Sequence, residues 1–358
     1  MRRAALLLLL ITVALPAFSA RPVTVEQLEH LLSADHSQRD AKLANQLAGL
    51  ELNERLNSVR LARLEEELPG TRSRQILVSL ADESAFLDPP AVEIPPGATP
   101  DLATQRQIMA KAVDYAGRTL RKLPNFFATR NTVFYEDSPM GRRPDSTLIP
   151  EEPLHPVNRF SDTVLYRDGA EVVDSGKVKR RRYDPVARAL ITRGVFGPLL
   201  GIALVDASHG SLSWSHWEQG AAGRWAVFRY RVPKEKSHYE VSFCCLLDDW
   251  RVDLAFRKLS GYHGEISIDP EDGSILRLTV VADLEPKDPI ARSNILVEYG
   301  PVEIGGRSYI CPVKSVSIWV APEANASSLQ TLLNDVVFAD YHLFRSESRI
   351  LVGGGYTP

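Results

Sequence analysis

Leucine recurs at helical intervals through the first quarter of the chain. Thr24-Val-Glu-Gln27 has the form of a capping box, and Leu28, Leu31 and Leu32 come next at the spacing of one helix face. Leu43, Leu47 and Leu50 mark a further stripe, and Leu52 and Leu56 another. Leu61, Leu64 and Leu68 make the next, which Pro69-Gly70 stops, and Ile76, Leu77 and Leu80 lead the last. The pattern predicts a small all-helical domain over residues 20–87 with about four helices. Each is too short to be stable alone, so they must pack on each other or on a partner.

Asp88 to Pro100 contains Pro89, Pro90, Pro95, Pro96 and Pro100, a density that forbids helix and favours an extended tether. Residues 88–100 are therefore read as a linker. Helical spacing returns from Asp101 to Lys122 through Leu102, Ile108, Met109, Val113 and Leu120, and Pro124 ends it.

From Thr132 onward the period changes to two. Thr163 to Arg167, Asp168-Gly169 and Ala170 to Asp174 read as a hairpin, because an Asp-Gly pair suits a type I′ turn. Further strands are expected at Ser211–Trp217, Trp225–Val232, His238–Cys245 and Gly261–Ile268. The Asp269-Pro-Glu-Asp-Gly273 turn precedes Ser274–Ala282, Gly305-Gly306 precedes Arg307–Val320, and Val336–Phe344 comes last. Phe196 to Asp206 reads as a short apolar helix with Pro198 in its first turn. The expected fold class is α+β: the helical domain, then residues 101–358 as a curved antiparallel half-barrel. About ten strands succeed one another in meander order, with two helices on one face. Two helices are little cover for such a sheet, so a ligand, a partner or the N-terminal helices must occupy what they leave.

At 358 residues the chain is long enough for two domains, and 44% hydrophobic with 24% charged residues excludes a disordered or collagen-like protein. A net charge of -3 gives no general pull toward nucleic acid, and no nucleic-acid partner is expected. Met1-Arg2-Arg3, the apolar run Ala4–Leu15 and Pro16-Ala-Phe-Ser-Ala20 form the three parts of a secretory signal peptide, with cleavage after Ser19. That run is shorter than a bilayer span and no later one is longer. The expectation is an exported soluble protein, periplasmic or extracellular, without a transmembrane segment.

Export makes a disulfide permissible. Only one of the neighbours Cys244 and Cys245 can face Cys311, since adjacent strand residues point to opposite sides. Cys245 continues the apolar face of Tyr239, Val241 and Phe243, so a Cys245–Cys311 bridge is expected; three reduced, buried cysteines are the alternative. No CxxC or CxxH spacing suggests a metal.

Catalytic patterns are sparse. His263 and Glu265 share one side of a strand whose other side carries Tyr262, Ile266 and Ile268, which places them on a solvent face. His209, His216 and Glu218 are weak as a zinc set. No Gly-x-Ser-x-Gly occurs, and Gly353-Gly354-Gly355 has no helix after it. Lys177 and Lys179-Arg-Arg-Arg182 read as a solvated basic loop. No catalytic residue, cofactor or metal is assigned. Trp214, Trp217, Trp225, Phe228 and Tyr230 cluster on two adjacent strands, where core filling is the first reading. A curved sheet with helices in its concavity can also leave an apolar cavity, and Trp214, Phe228 and Tyr230 are the ligand-binding candidates for it.

The segments Gly261-Tyr-His-Gly-Glu-Ile-Ser-Ile-Asp-Pro-Glu-Asp-Gly-Ser-Ile-Leu-Arg-Leu, Val297-Glu-Tyr-Gly-Pro-Val-Glu-Ile-Gly-Gly, Tyr309-Ile-Cys-Pro-Val-Lys and Gly49-Leu-Glu-Leu-Asn-Glu-Arg-Leu resemble a family of uncharacterised secreted proteins from Acidobacteria. That resemblance implies no activity. Residues 132–345 distantly resemble the unclosed β-barrel of periplasmic lipoprotein carriers and of the sigma-factor regulators that share their fold, through the Asp168-Gly169 hairpin, the Asp-Pro-x-x-Gly turn and strand order. The functional expectation is an exported binding protein that holds an apolar acyl or lipid ligand or a protein segment, with the helical domain available to a protein partner. The alternative is a periplasmic hydrolase whose site is assembled from residues distant in sequence. A cavity lined only by apolar groups favours the first, and convergent His, Asp and Ser side chains favour the second.

Overall fold

The computed structural model describes residues 20–34, 39–138, 141–142, 148–149, 151–172, 195–220, 223–248, 251–322 and 329–344, with backbone alone for 119–121, 141–142, 148–149, 243–248, 251–255 and 322. The segment read as a signal peptide, the basic run at 177–182 and the glycines at 353–355 lie outside the described residues.

The leucine stripes fold as β1 (Arg21–Val23), α1 (Val25–Ala34), α2 (Asp40–Leu47), β2 (Leu50–Leu52), α3 (Ser58–Glu67) and α4 (Thr71–Ser84). The capping box forms: the Gln27 N–H donates to Thr24 Oγ1 at 3.1 Å, and the Thr24 N–H to Gln27 Oε1 at 3.0 Å. Leu28, Leu47, Leu61, Leu64 and Leu77 meet in one apolar core, which stabilises helices that would melt singly. Leu50 and Leu52 depart from the helical expectation. They are the two buried residues of β2, with Glu51 exposed between them, and β2 pairs in parallel with β1. Their period is two, not three or four.

Residues 88–100 run irregularly apart from one tight turn at Ala91–Glu93, and Asp101 then caps α5 (Leu102–Lys122) by accepting the Thr104 N–H at 2.7 Å. Next come β3 (Phe126–Ser138), β4 (Gly141–Arg142), β5 (Leu148–Ile149), β6 (Glu152–Arg167), β7 (Ala170–Val172) and α6 (Pro198–His209). The β6–β7 turn has φ of 53° at Asp168 and 87° at Gly169, the left-handed pair that a type I′ turn requires. The remaining strands are β8 (Ser211–Gln219), β9 (Arg224–Val232), β10 (Glu240–Asp248), β11 (Arg251–Leu259), β12 (Gly261–Ile268), β13 (Ile275–Asp283), β14 (Arg292–Ile304), β15 (Arg307–Pro322) and β16 (Leu329–Leu343).

The fold is α+β, with an open antiparallel sheet of ten strands in the order β7-β6-β3-β16-β15-β14-β13-β12-β9-β8. A simple meander is corrected at two places. The last strand, β16, pairs with β3, and β12 pairs with β9 because β10 and β11 leave the sheet as a separate hairpin.

Both faces are covered. On the first, Ile108, Ala112 and Ala116 of α5 and Leu199 and Ala203 of α6 share a core with Phe126, Tyr166, Phe228, Ile266 and Leu278. On the second, Ala85 and Phe86, at the end of α4, pack on Tyr135, Leu154, Leu296, Ile318 and Leu333. The N-terminal helices thus sit on the side opposite α5 and α6, a side that strand alternation alone assigns to solvent. Residues 88–100 make the passage between the faces, since Asp88 pairs with Arg229 on the second and the Ala98 carbonyl accepts from Trp217 Nε1 on the first.

The expected Cys245–Cys311 bridge is also corrected. Cys311 is a free thiol, buried in the first-face core opposite Gly300 of β14. β10, which carries Cys244 and Cys245, pairs with β11 rather than with the ten-stranded sheet; the side chains of both cysteines lie outside the described residues.

Candidate functional site

The structure brings Trp214, Phe228 and Tyr230 onto one face. Trp214 meets Phe228 edge-on at 5.4 Å and Trp217 at 4.8 Å, while Phe228 and Tyr230 are only 2% and 3% exposed. Both are packed as first-face core. Tyr230 lies opposite Gly264 on β12, and its hydroxyl donates to the Thr279 carbonyl of β13 at 2.6 Å. A Cβ on Gly264 would stand 1.9 Å from that carbonyl and 2.9 Å from Tyr230 Oη. The bare glycine is what allows one aromatic side chain to bolt three strands together.

The second face of the same strands is polar. Antiparallel register aligns its side chains in cross-strand rows: Ser211, Arg231, His263 and Val281 in one, Ser213, Arg229, Glu265 and Thr279 in the next. Alternation in β8 is interrupted at Ser215, where the register with β9 shifts by one residue. That bulge turns His216 and Glu218 onto the face of Ser211 and Ser213.

Glu218 and Glu265 are neutralised from both sides. Arg55, between β2 and α3, donates from Nη2 to Glu218 Oε2 at 2.5 Å and places Nη1 3.7 Å from Glu265 Oε2. Arg277 of β13 reaches Glu265 at 3.4 Å and donates to the Ala85 carbonyl at 3.0 Å. Arg229 bridges Glu265, at 3.1 Å, and Asp88. The Arg55 N–H also donates to the Asp88 carbonyl at 2.9 Å. Burial by itself raises the Glu218 carboxyl, but His216 and the charges of Arg55 and Arg277 outweigh it and hold the group at about 2. Glu265 is lowered for the same reason: Arg277, Arg55 and Arg229 overcome its burial. Farther along the face, burial raises the Asp82 carboxyl although Lys314 Nζ lies 2.7 Å away, and the Asp335 carboxylate, which shares that ammonium, adds to the rise.

Beyond the end of α4 the cover stops, and a cleft of about 440 Å³ opens. Phe86 and Asp88 bound it on one side; Ser213, Arg231, His263 and Val281 line its floor. His263 Nδ1 lies 2.7 Å from Asp283 Oδ1, which assigns the Nδ1 proton to that bond and leaves Nε2 free of it. A His–Asp pair beside serines has the ingredients of acyl transfer, but not the arrangement. Arg231 stands between Ser211 and His263 in the row, a separation of about 10 Å at two strand spacings. The Ser211 hydroxyl donates instead to the Arg231 carbonyl at 3.4 Å. His209 and His216 do not converge: the His209 carbonyl accepts from Lys236, whereas His216 faces Glu218. Among the described residues no three His, Cys, Asp or Glu side chains gather as metal ligands.

His263, Glu265, His216 and Glu218 are visible in the sequence as strand residues. Arg55, Phe86 and Asp88 are not, because leucine spacing says which positions are apolar but not which distant surface the residues beside them meet. The glycine at 264, in the interior of a strand, is the one local sign of a close approach. No family model, curated protein or solved structure matches this chain.

Proposed function

We propose that this is an exported, soluble, non-catalytic binding protein that holds a small organic molecule in the cleft between the end of α4 and strands β8, β9, β12 and β13. One observation carries the reading: polar rows that are covered elsewhere on the second face lie open over 440 Å³, a volume within the range of ligand sites. Phe228 and Tyr230 are packed in the first-face core, and of the expected trio Tyr230 also contributes to the lining of this cleft. The ligand suited to the cleft is amphipathic, with an apolar part against Phe86 and Val281. No helix among the described residues is long and apolar enough to cross a membrane.

Native mass spectrometry of the protein isolated from its host compartment tests this. A co-purifying small molecule is expected, and it should be lost when Val281→Trp fills the cleft. A ligand retained by Val281→Trp places binding elsewhere and overturns the reading. The His263–Asp283 pair supports one competitor, a hydrolase. Turnover of p-nitrophenyl esters that disappears in His263→Ala would favour it over binding alone.

A further inference from the structure

Arg231 differs from the arginines gathered around Glu218 and Glu265. Arg55, Arg229 and Arg277 each pair with Glu218 or Glu265, and Arg277 also spends a donor on the Ala85 carbonyl. Arg231 lines the cleft, is exposed, and makes no ion pair among the described residues. It occupies the middle of its row, with Ser211 and His263 as cross-strand neighbours and Ser213 on the adjacent row. The chain as a whole carries a charge of -3, so this unbalanced cation does not reflect a general basic excess.

We propose that Arg231 anchors a carboxylate-binding subsite, and that the molecule held in the cleft is an organic monoanion whose carboxylate meets the Arg231 guanidinium while its apolar part packs on Phe86 and Val281. The inference rests on the binding reading above and specifies its ligand. The guanidinium fork matches a carboxylate with two parallel hydrogen bonds. Phosphate offers similar oxygens but more charge. Asp88 and Glu265 also line the cleft and Asp283 pairs with its His263, and although Arg229, Arg277 and His263 hold these carboxylates, their field penalises a dianion about twice as much as a monoanion. A free guanidinium also excludes cationic ligands.

Calorimetric titration of the full mature chain with benzoate, benzyl alcohol, benzylammonium and inorganic phosphate separates these chemistries. Benzoate should bind with one-to-one stoichiometry, at least tenfold more tightly than the other three. Arg231→Gln should weaken it by about 10- to 100-fold, as expected for loss of a charge-assisted pair. Arg231→Lys, which keeps the charge without the fork, should fall between. In the wild-type protein, the Arg231 Nε–H NMR signal should shift on benzoate addition, a readout that does not depend on any variant folding. Benzyl alcohol binding as tightly as benzoate, with Val281→Trp abolishing both, overturns the carboxylate subsite but leaves the cleft as the binding site. Phosphate binding more tightly than benzoate, or no binding by benzoate, also overturns it. The native mass spectrum decides the broader reading independently.

Discussion

The Arg55 guanidinium and the Glu218 carboxylate, 163 residues apart in the chain, meet at 2.5 Å with side chains 4% and 5% exposed. This contact joins the N-terminal helices to the edge region of the sheet. A buried pair of this kind adds little net stability but costs much when half of it is removed, because the remaining charge has left water and lost its partner. Arg55→Ala is therefore expected to destabilise the protein by about 3 kcal/mol, near the lower end for buried pairs because Arg277 and His216 still face Glu218. Replacing both partners by leucine should recover most of that loss in a urea unfolding series.

The same pair sets an acid limit. Glu218 titrates at about 2 in the folded protein against an ordinary 4.5, so its contribution is complete above the unfolded value and disappears as pH falls through the folded one. Unfolding free energy measured from pH 5 to pH 2 should drop, and Glu218→Gln should flatten that part of the curve. An unchanged slope in the variant would remove Glu218 as its source.

Glu83, in the last turn of α4, behaves oppositely. Burial raises its carboxyl to about 7, with Asp137 and Glu51 adding repulsion that Arg292 offsets only in part. The folded state then holds a proton that the unfolded state releases near 4.5, so stability falls as pH rises from about 4.5 to 7. Glu83→Gln should stabilise the protein at pH 8, by roughly 1–3 kcal/mol, and leave it unchanged at pH 4. Thermal melts at the two pH values check the sign.

Gly264→Ala should be among the most disruptive single-methyl changes in the chain. Its Cβ would fall 1.9 Å from the Thr279 carbonyl, a backbone atom that cannot rotate aside. A loss of about 2–4 kcal/mol is expected from strand displacement. Tyr230→Phe keeps the ring and leaves that buried carbonyl without its donor, at a cost of about 1–3 kcal/mol. If Gly264→Ala melts like wild type, the close approach of β12 and β13 is wrong.

Burial pushes the Cys311 thiol up to about 12, so thiolate is scarce at neutral pH. Iodoacetamide at pH 8 should leave Cys311 unmodified in the folded protein and alkylate it without prior reduction once guanidinium unfolds the chain. Peptide mapping reads both states. A requirement for reductant in the unfolded state would restore a bridge to Cys311.

Local elements are legible in the sequence because local spacing produces them. The capping box at Thr24, Pro198 in the first turn of α6, the Asp168-Gly169 turn and the alternation in β9 and β12 each depend on residues within a few positions of one another. The side on which Tyr262, Ile266 and Ile268 point comes from period two as well. The surroundings of the other side do not. His263 and Glu265 alternate in the same way whether water or a helix end faces them, and the pairing of β16 with β3 leaves no trace in either strand's own pattern.

The sequence by itself thus determined the helices of the first quarter, α5, α6, the Asp168-Gly169 hairpin and strands such as β9 and β12, with the apolar face of each, since backbone geometry and burial set those periods within single elements. It did not determine Leu50 and Leu52, which are strand, or β11 and β14. Only the tertiary structure decided that the helices cap the second face, that the bulge at Ser215 turns Glu218 toward Arg55, and that Arg231 has no ion-pair partner among the described residues of the cleft. Those relationships are contacts between segments up to 163 residues apart, chosen by the packing of whole surfaces and by pairing of charges after desolvation, and no short-range pattern encodes them.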